Sequence, residues 1–167
     1  MTEKQRHTVI PRTLIFVFRE GNLLLMKYSG KGENQTKEKE DRKDIYNALG
    51  GHIEENEDII DNARREAKEE AGVDLINPKI KGVIHANGFA GKNVMMFVVV
   101  AETNDNGLKS TLEGELEWIE PSKISSLNVF DDMRAILDKV MNIKDEEIFT
   151  GVTKFDGFKL LEIKLTA

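Results

Sequence analysis

Between the paired glycines Gly50 and Gly51 and a further glycine, Gly72, lies a segment with little choice of conformation. Residues 57–71, EDIIDNARREAKEEA, contain no Gly or Pro and are rich in Ala, Glu, Lys and Arg. Alanine and straight-chain residues lose little entropy in a helix, so the segment is predicted helical, ended by Gly72 as a C-cap. At about 100° per residue, Ile60, Ala63, Ala67 and Ala71 share one stripe, while Glu66, Glu69 and Glu70 gather on its neighbour. Glutamates three and four apart repel by a few tenths of a kcal/mol, and these occupy the last turn, where the helix dipole disfavours negative charge. A positive partner is therefore expected. Three converging carboxylates supply hard oxygen ligands suited to Mg²⁺ or Mn²⁺. The alternative is a solvated acidic face.

The spacing decides between them. Gly51, Glu57, Arg65-Glu66, Glu69-Glu70, Gly72 and Val73 fall at the intervals of the pattern G-x5-E-x7-R-E-U-x-E-E-x-G-U, where U is a bulky aliphatic residue. The chain thus resembles the Nudix hydrolases. Ala67 stands where that family prefers Ile, Leu or Val; because the position packs inward, the departure bears on core filling rather than on chemistry. The resemblance implies an α/β/α sandwich with a mixed β-sheet, and hydrolysis of nucleoside diphosphates linked to another moiety. It implies a divalent metal held by Glu66, Glu69 and Glu70, with the Gly51 carbonyl as a further ligand. Such a metal neutralises phosphate oxygens and lowers the pKa of a bound water. Arg65 lies eight residues from Glu57, a little over two turns, so it is read as bracing the loop and helix through that carboxylate rather than as a phosphate contact. The general base comes either from the motif itself, as Glu69, or from a distant loop, as Glu113 or Glu115 ahead of Trp118; the last two are equally read as ordinary strand-end glutamates.

The length of 167 residues fits one domain over residues 1–167. With no cysteine, disulfides, thiolate chemistry and Cys-built zinc sites are excluded, and three histidines make a His-rich metal site an unpromising reading. The longest apolar run, residues 94–101, is too short to span a membrane, and the first residues carry no apolar signal core, so a cytoplasmic location is expected. A net charge of −6 argues against a nucleic-acid polymer as partner. A polyphosphate remains bindable where metal and a few local Lys or Arg reverse the field.

Along the chain, residues 13–18 and 23–28 read as a hairpin whose near-continuous apolar character implies cover on both faces. Residues 29–44 are almost wholly polar and read as a mobile loop, either a lid or a surface insertion. Residues 45–49 form a short strand, residues 80–86 and 93–102 two more, and 115–120 another, with 103–110 as a polar link. Pro121-Ser122 opens a helical turn. Residues 131–141 form a second amphipathic helix with Met133, Ile136, Leu137, Val140 and Met141 on its apolar side, and 147–155 with 158–165 flank a turn at Asp156-Gly157.

Shorter matches extend the resemblance to the MutT-like 8-oxo-dGTP diphosphatases: Arg12-Thr13-Leu14, Leu24-Leu25-Met26-Lys27, Tyr46-Asn47-Ala48-Leu49-Gly50-Gly51 and Phe130-Asp131-Asp132. They imply that Asn47, Asp131 and Asp132 read the purine edge, with Lys27 and Thr13 near the substrate. An amide offers donor and acceptor, and a carboxylate accepts the N–H groups of a guanine-type edge. The same residues have a structural reading, the aspartates as an N-cap and Asn47 as a turn residue. Where that branch stacks a Trp on the base, this chain has Val129-Phe130, so Phe130 is the candidate for stacking; Tyr46 and Ala48 also replace the usual Trp and Gly. The function expected is Mg²⁺-dependent hydrolysis of 8-oxo-dGTP or a related purine nucleotide to the monophosphate and pyrophosphate. ADP-ribose, dinucleoside polyphosphates and sugar nucleotides are the alternative substrates, and a non-catalytic nucleotide-binding module the alternative class.

Overall fold

A computed structural model of the protein describes residues 6–31, 37–106, 108 and 111–166. In chain order the elements are β1 (Ile10–Arg19), β2 (Asn22–Tyr28), α1 (Lys37–Asp41), β3 (Tyr46–Asn47), α2 (Ile59–Ala71), β4 (Ile76–Phe89) and β5 (Lys92–Glu102). There follow β6 (Gly114–Ile119), a 3₁₀ turn (Pro121–Ser126), α3 (Asp131–Asn142), β7 (Phe149–Gly157) and β8 (Lys159–Thr166). The strands form one eight-stranded sheet in the order β3-β2-β1-β5-β4-β7-β8, with β6 on β2. The β1/β5 and β4/β7 pairs are parallel and the rest antiparallel, so the sheet is mixed.

Strand alternation divides the core into two layers. Leu14, Phe16, Leu23 and Leu25 face α3, packing with Met133, Ile136 and Leu137. Their neighbours Ile15, Val17, Leu24 and Met26 face α2, against the fully buried Ala63, Ala67 and Ala71. This two-sided cover is what the continuous apolar runs required, and with a helix on each face the fold is an α/β/α sandwich. The three alanines let α2 lie close on the sheet, and Ala67 has no space-filling side chain because none is needed at that distance.

One crossing positions everything that follows. Residues 45–53 begin on β2, where the Tyr28 N–H donates to the Ile45 carbonyl and Asn47 pairs with Met26. They end on β1, where Leu49 bridges Ile15, the Thr13 N–H donates to the Gly51 carbonyl, and the Ile53 N–H donates to the Pro11 carbonyl. β1 and β2 pair directly only beside their turn, at Phe18 and Arg19, and splay beyond it around this segment. The expected strand over 45–49 is accordingly cut to Tyr46–Asn47, because the chain changes partner after Asn47.

Other boundaries also move. α2 starts at Ile59 rather than 57, since the Asp58 carboxylate caps it by accepting the N–H groups of Ile60 and Asp61 at 2.8 and 2.9 Å. Gly72 ends it in the left-handed conformation, φ 72°. Met141, expected on the apolar side of α3, is 53% exposed. The segment 29–44 is not loop throughout: Lys37–Asp41 is helical, while residues 32–36 lie outside the described residues, as do 107, 109 and 110 of the polar link. Among the described residues no helix is long and apolar enough to cross a membrane.

Candidate active site

Two backbone requirements bring α2 to the crossing. Gly50 has φ 139°, and a Cβ there would lie 2.2 Å from the Thr13 carbonyl oxygen. A Cβ on Gly51 would lie 2.2 Å from Glu66 Oε1. Glycine at 51 therefore supplies room for a carboxylate. Its own carbonyl, expected as a metal ligand, is turned into the sheet with one lone pair taken by the Thr13 N–H at 3.0 Å.

Arg65 holds the acidic face together. Its Nε donates to Glu57 Oε1 at 2.8 Å and its Nη2 to Glu57 Oε2 and the His52 carbonyl, both at 3.1 Å. Nη1 faces Glu66 Oε1 at 3.0 Å and Glu69 Oε2 at 3.1 Å. This planar fork holds the Glu57 carboxyl at about 2, well below its usual value, helped by the Glu54 N–H and the Asn62 amide. Asn62, unremarked in the sequence, is fully buried among the alanines. Its amide nitrogen donates to the His52 carbonyl at 2.7 Å and Glu57 at 2.9 Å, and its Oδ1 accepts the Thr13 hydroxyl at 2.6 Å. A polar side chain on an otherwise apolar helical stripe was the signal that could have found it.

Glu70 is the largely buried member of the acidic set. Burial drives its carboxyl up to about 8, with Glu66 and Glu113 adding to the rise; the Gly50 N–H, donating to Glu70 Oε2 at 3.0 Å, and the Arg12 charge oppose it. Burial also raises the Glu66 carboxyl, against the pull of Arg65. Glu69 is exposed on its side chain (61%). Among the described residues no three acidic or histidine side chains converge to metal-ligating distance, because Arg65 takes Glu66 and Glu69 while Glu70 turns to Gly50. The chemistry of the donor set nonetheless fits a hard divalent cation: carboxylate oxygens on one helix, that of Glu70 largely buried and raised by that burial.

The cleft beside this helix has two connected parts sharing Arg12, Tyr28, Arg42 and Gly50. The first, about 670 Å³ and open to solvent, has apolar walls that include Phe89, Met96, Phe130 and Met133. Besides the shared Arg12, Tyr28 and Arg42, its polar side chains are Thr13, Asn47 and Asp132. Asp132 is not an N-cap. Phe130 occupies that position without a side-chain cap bond, and Asp132 lies in the first turn of α3, 8% exposed. Burial raises its carboxyl to about 6, although the N–H groups of Asp132 and Met133 hydrogen-bond it. The Tyr28 hydroxyl faces the Asn47 amide and is itself raised by burial. The second part, about 570 Å³, is bordered by Lys31, Lys39, Glu70 and Glu113.

Of the residues singled out from the sequence, Thr13, Asn47, Phe130 and Asp132 therefore meet at one cavity, and Glu113 joins Glu70 at the next. Three do not. Lys27 pairs with Asp44 at 3.5 Å and lies over the Tyr46 ring. Asp131 is exposed outside the cavity lining, and Glu115 is exposed on β6 opposite Lys27. Lys27 stands one residue along β2 from Tyr28, which faces the cleft, and strand alternation sends it elsewhere; Glu115, opposite Lys27 on β6, shares that side.

A mixed sheet between two helices, one of them acidic and entered through Gly-Gly beside a cleft lined by Arg12 and Arg42, agrees with the resemblance noted in the sequence. The NUDIX domain model matches residues 9–140, and the chain belongs to the Nudix family, hydrolases of pyrophosphate bonds. Among curated relatives, the uncharacterized Nudix hydrolase YvcI of Bacillus subtilis is 32% identical over 130 residues, 74% of this chain and 81% of the relative. A MutT protein from Bacillus halodurans has a crystal structure similar at TM-score 0.77 and 26% identity, covering 94% of this chain and 97% of its own. A NUDIX hydrolase from Nitrosomonas europaea, 15% identical, shares the fold at TM-score 0.72 over 90% of this chain and 82% of its own.

Two expectations follow. A depressed carboxyl contributes stability that is present above its unfolded value and lost as pH falls, so the Glu57–Arg65 link weakens from about pH 4.5 down to about 2. In urea titrations Glu57→Gln lowers stability at pH 7 by about 1–3 kcal/mol and flattens this acid limb; an unchanged limb refutes the link. Asp132 has the opposite sign: its raised carboxyl makes the fold less stable as pH rises from about 4 to 6. Asp132→Asn is expected to be more stable than the native chain by roughly 1–3 kcal/mol at pH 8 and near parity at pH 4.

Proposed function

We propose that the protein hydrolyses a purine nucleoside triphosphate in a divalent-metal-dependent reaction, with 8-oxo-dGTP the leading substrate, releasing the monophosphate and pyrophosphate. The observation that carries this reading is the continuity of the cleft: a cavity with apolar walls, lined also by Asn47 and Asp132, shares Arg12, Tyr28, Arg42 and Gly50 with a second part bordered by Glu70 of the acidic helix. A base held in the first part directs its phosphates into the second.

Each residue then has a task. Phe130 and Phe89, whose centroids are 6.2 Å apart in an edge-to-face arrangement, wall the base site and exclude water. Asn47, held by Tyr28, presents donor and acceptor to the base; Asp132, ionised above about pH 6, accepts two N–H groups. Arg12 supports the phosphates, and Glu66, Glu69 and Glu70 hold Mg²⁺, or Mn²⁺ in its place, with the Gly51 carbonyl able to contribute its second lone pair. Bound there, the metal supplies charge neutralisation on phosphate oxygens and acidification of water. In the reaction a water oxygen bonds to phosphorus, the bridging P–O bond breaks toward pyrophosphate, and the water's proton passes to a carboxylate. Glu113, which lines the second part of the cleft with Glu70, is the candidate for that role, with Glu69 the candidate on the helix; Glu115 stands apart from the cleft.

The test is a panel of nucleotides with Mg²⁺, monitored by released phosphate products. The native chain is expected to turn over 8-oxo-dGTP ahead of dGTP and ADP-ribose, and Glu70→Gln and Glu69→Gln to lose at least a hundredfold in kcat. Persistent hydrolysis in either variant removes that residue from the metal site. No turnover of any nucleotide, with tight binding retained, points instead to a binding module. Asn47→Ala and Asp132→Ala are expected to reduce the ratio of kcat/KM for 8-oxo-dGTP over dGTP by about tenfold or more, since each leaves a base group unpaired. An unchanged ratio overturns the base assignment.

A further inference from the structure

One cation of the cleft is held in an unusual way. Arg42 follows α1 in the polar segment 29–44, and its guanidinium lies between two aromatic rings, 5.0 Å from the Tyr28 centroid and 5.9 Å from that of Phe158. Its Nε is buried without a hydrogen-bond partner, and among the described residues no carboxylate lies within ion-pair distance of it. Cation–π contact with the rings holds the guanidinium at this place, and a guanidinium is suited to a planar or tetrahedral oxyanion. Arg42 borders both parts of the cleft, at their junction. The phosphate part is also lined by Arg12, Lys31 and Lys39 against Glu70 and Glu113, so it is locally basic in a chain whose net charge is −6. Such a reversal of sign marks a site for a polyanion.

We propose that Arg42, clamped between Tyr28 and Phe158, binds the phosphate chain of the substrate and sets the preference for a polyphosphorylated ligand. The inference rests on the reading of the cleft as a nucleotide site, but it concerns the phosphates and not the base. It gives the 29–44 segment a function, and it makes Phe158, on the closing hairpin beyond the residues matched by the family, a positioning residue for Arg42. Phe158 also touches Phe130 and Phe89, with centroids 6.2 and 5.4 Å away, so the ring that orients the phosphate ligand is continuous with the base wall.

The test compares Arg42→Met, which keeps an apolar stem between the rings, and Arg42→Lys, which keeps a charge without the fork, with the native chain. Three ligands are titrated with Mg²⁺: inorganic tripolyphosphate, the nucleoside 8-oxo-deoxyguanosine, and the triphosphate under turnover. Losing charge-assisted hydrogen bonds is expected to weaken tripolyphosphate about ten- to a hundredfold in Arg42→Met and less in Arg42→Lys. KM for the triphosphate should rise by a like factor with kcat within about threefold, while nucleoside affinity stays unchanged. Equal affinity of all three proteins for tripolyphosphate overturns the proposal, as does a parallel loss for nucleoside and tripolyphosphate, which is the mark of a purely structural arginine. Should Arg42→Met not fold, unchanged tripolyphosphate affinity in Arg42→Lys is itself decisive against the fork. If the native chain cleaves no purine triphosphate yet binds tripolyphosphate through Arg42, the substrate assignment fails and this one stands.

Discussion

The crossing of residues 45–53 from β2 to β1 is the constraint on which the rest of the structure depends. Backbone groups must be paired wherever they are buried, and this segment satisfies first one strand and then the other, forcing the two apart. The gap so made is the cleft. Asn47 sits where the chain leaves β2, and Gly50 and Gly51 sit where it meets β1 against α2. The proposed base site and the acidic helix are thus the two ends of one short run of backbone, which keeps their separation fixed without any loop between them.

Holding α2 against that run is a task for polar groups, because the fully buried apolar residues of its face are alanines, with Ile59 and Ile60 only partly buried at its start. Three alanines bury little surface, so directional bonds help to set the register of the helix: Asn62 to Thr13 and the His52 carbonyl, Arg65 to Glu57 and the same carbonyl. Hydrophobic contact alone tolerates sliding, whereas a fork of N–H donors does not. The helix therefore presents Glu66 at one place relative to Gly51, at a cost in desolvation that the raised Glu66 and Glu70 carboxyls record.

Much of this was legible in the sequence, for identifiable reasons. The helix over the motif, its Gly72 cap, the two hairpins and the two-sided strands all follow from local propensity and periodicity, and the Nudix resemblance supplied the sandwich. What was not legible depends on tertiary pairing. The shortening of the strand at 45–49 needs knowledge of two partners. The placement of Lys27 and Asp131 outside the cleft turns on which side of a strand or helix each occupies, a matter of one residue from Tyr28 and Asp132, and Glu115 follows Lys27 as its cross-strand partner. Asn62 and Arg42 act through groups far away in sequence, Thr13 on β1 and Phe158 at the turn between β7 and β8; a polar residue on an apolar stripe hints at the first, and no local pattern announces the second. The helix at Lys37–Asp41 was obscured by composition, since a run of charges reads as solvated whether or not it is folded.

The alternation along β1 and β2 has a consequence of its own. Leu14 and Phe16 lie in the layer that faces α3, while Ile15 and Val17 lie in the layer against the helix that carries the acids. On the proposed reading, a change at one position reaches base recognition and a change at the next reaches bond cleavage. Two traits that must cooperate in every turnover would then be free to be altered separately, so that a lineage carrying this sheet could exchange one nucleobase for another while its hydrolytic apparatus is inherited intact.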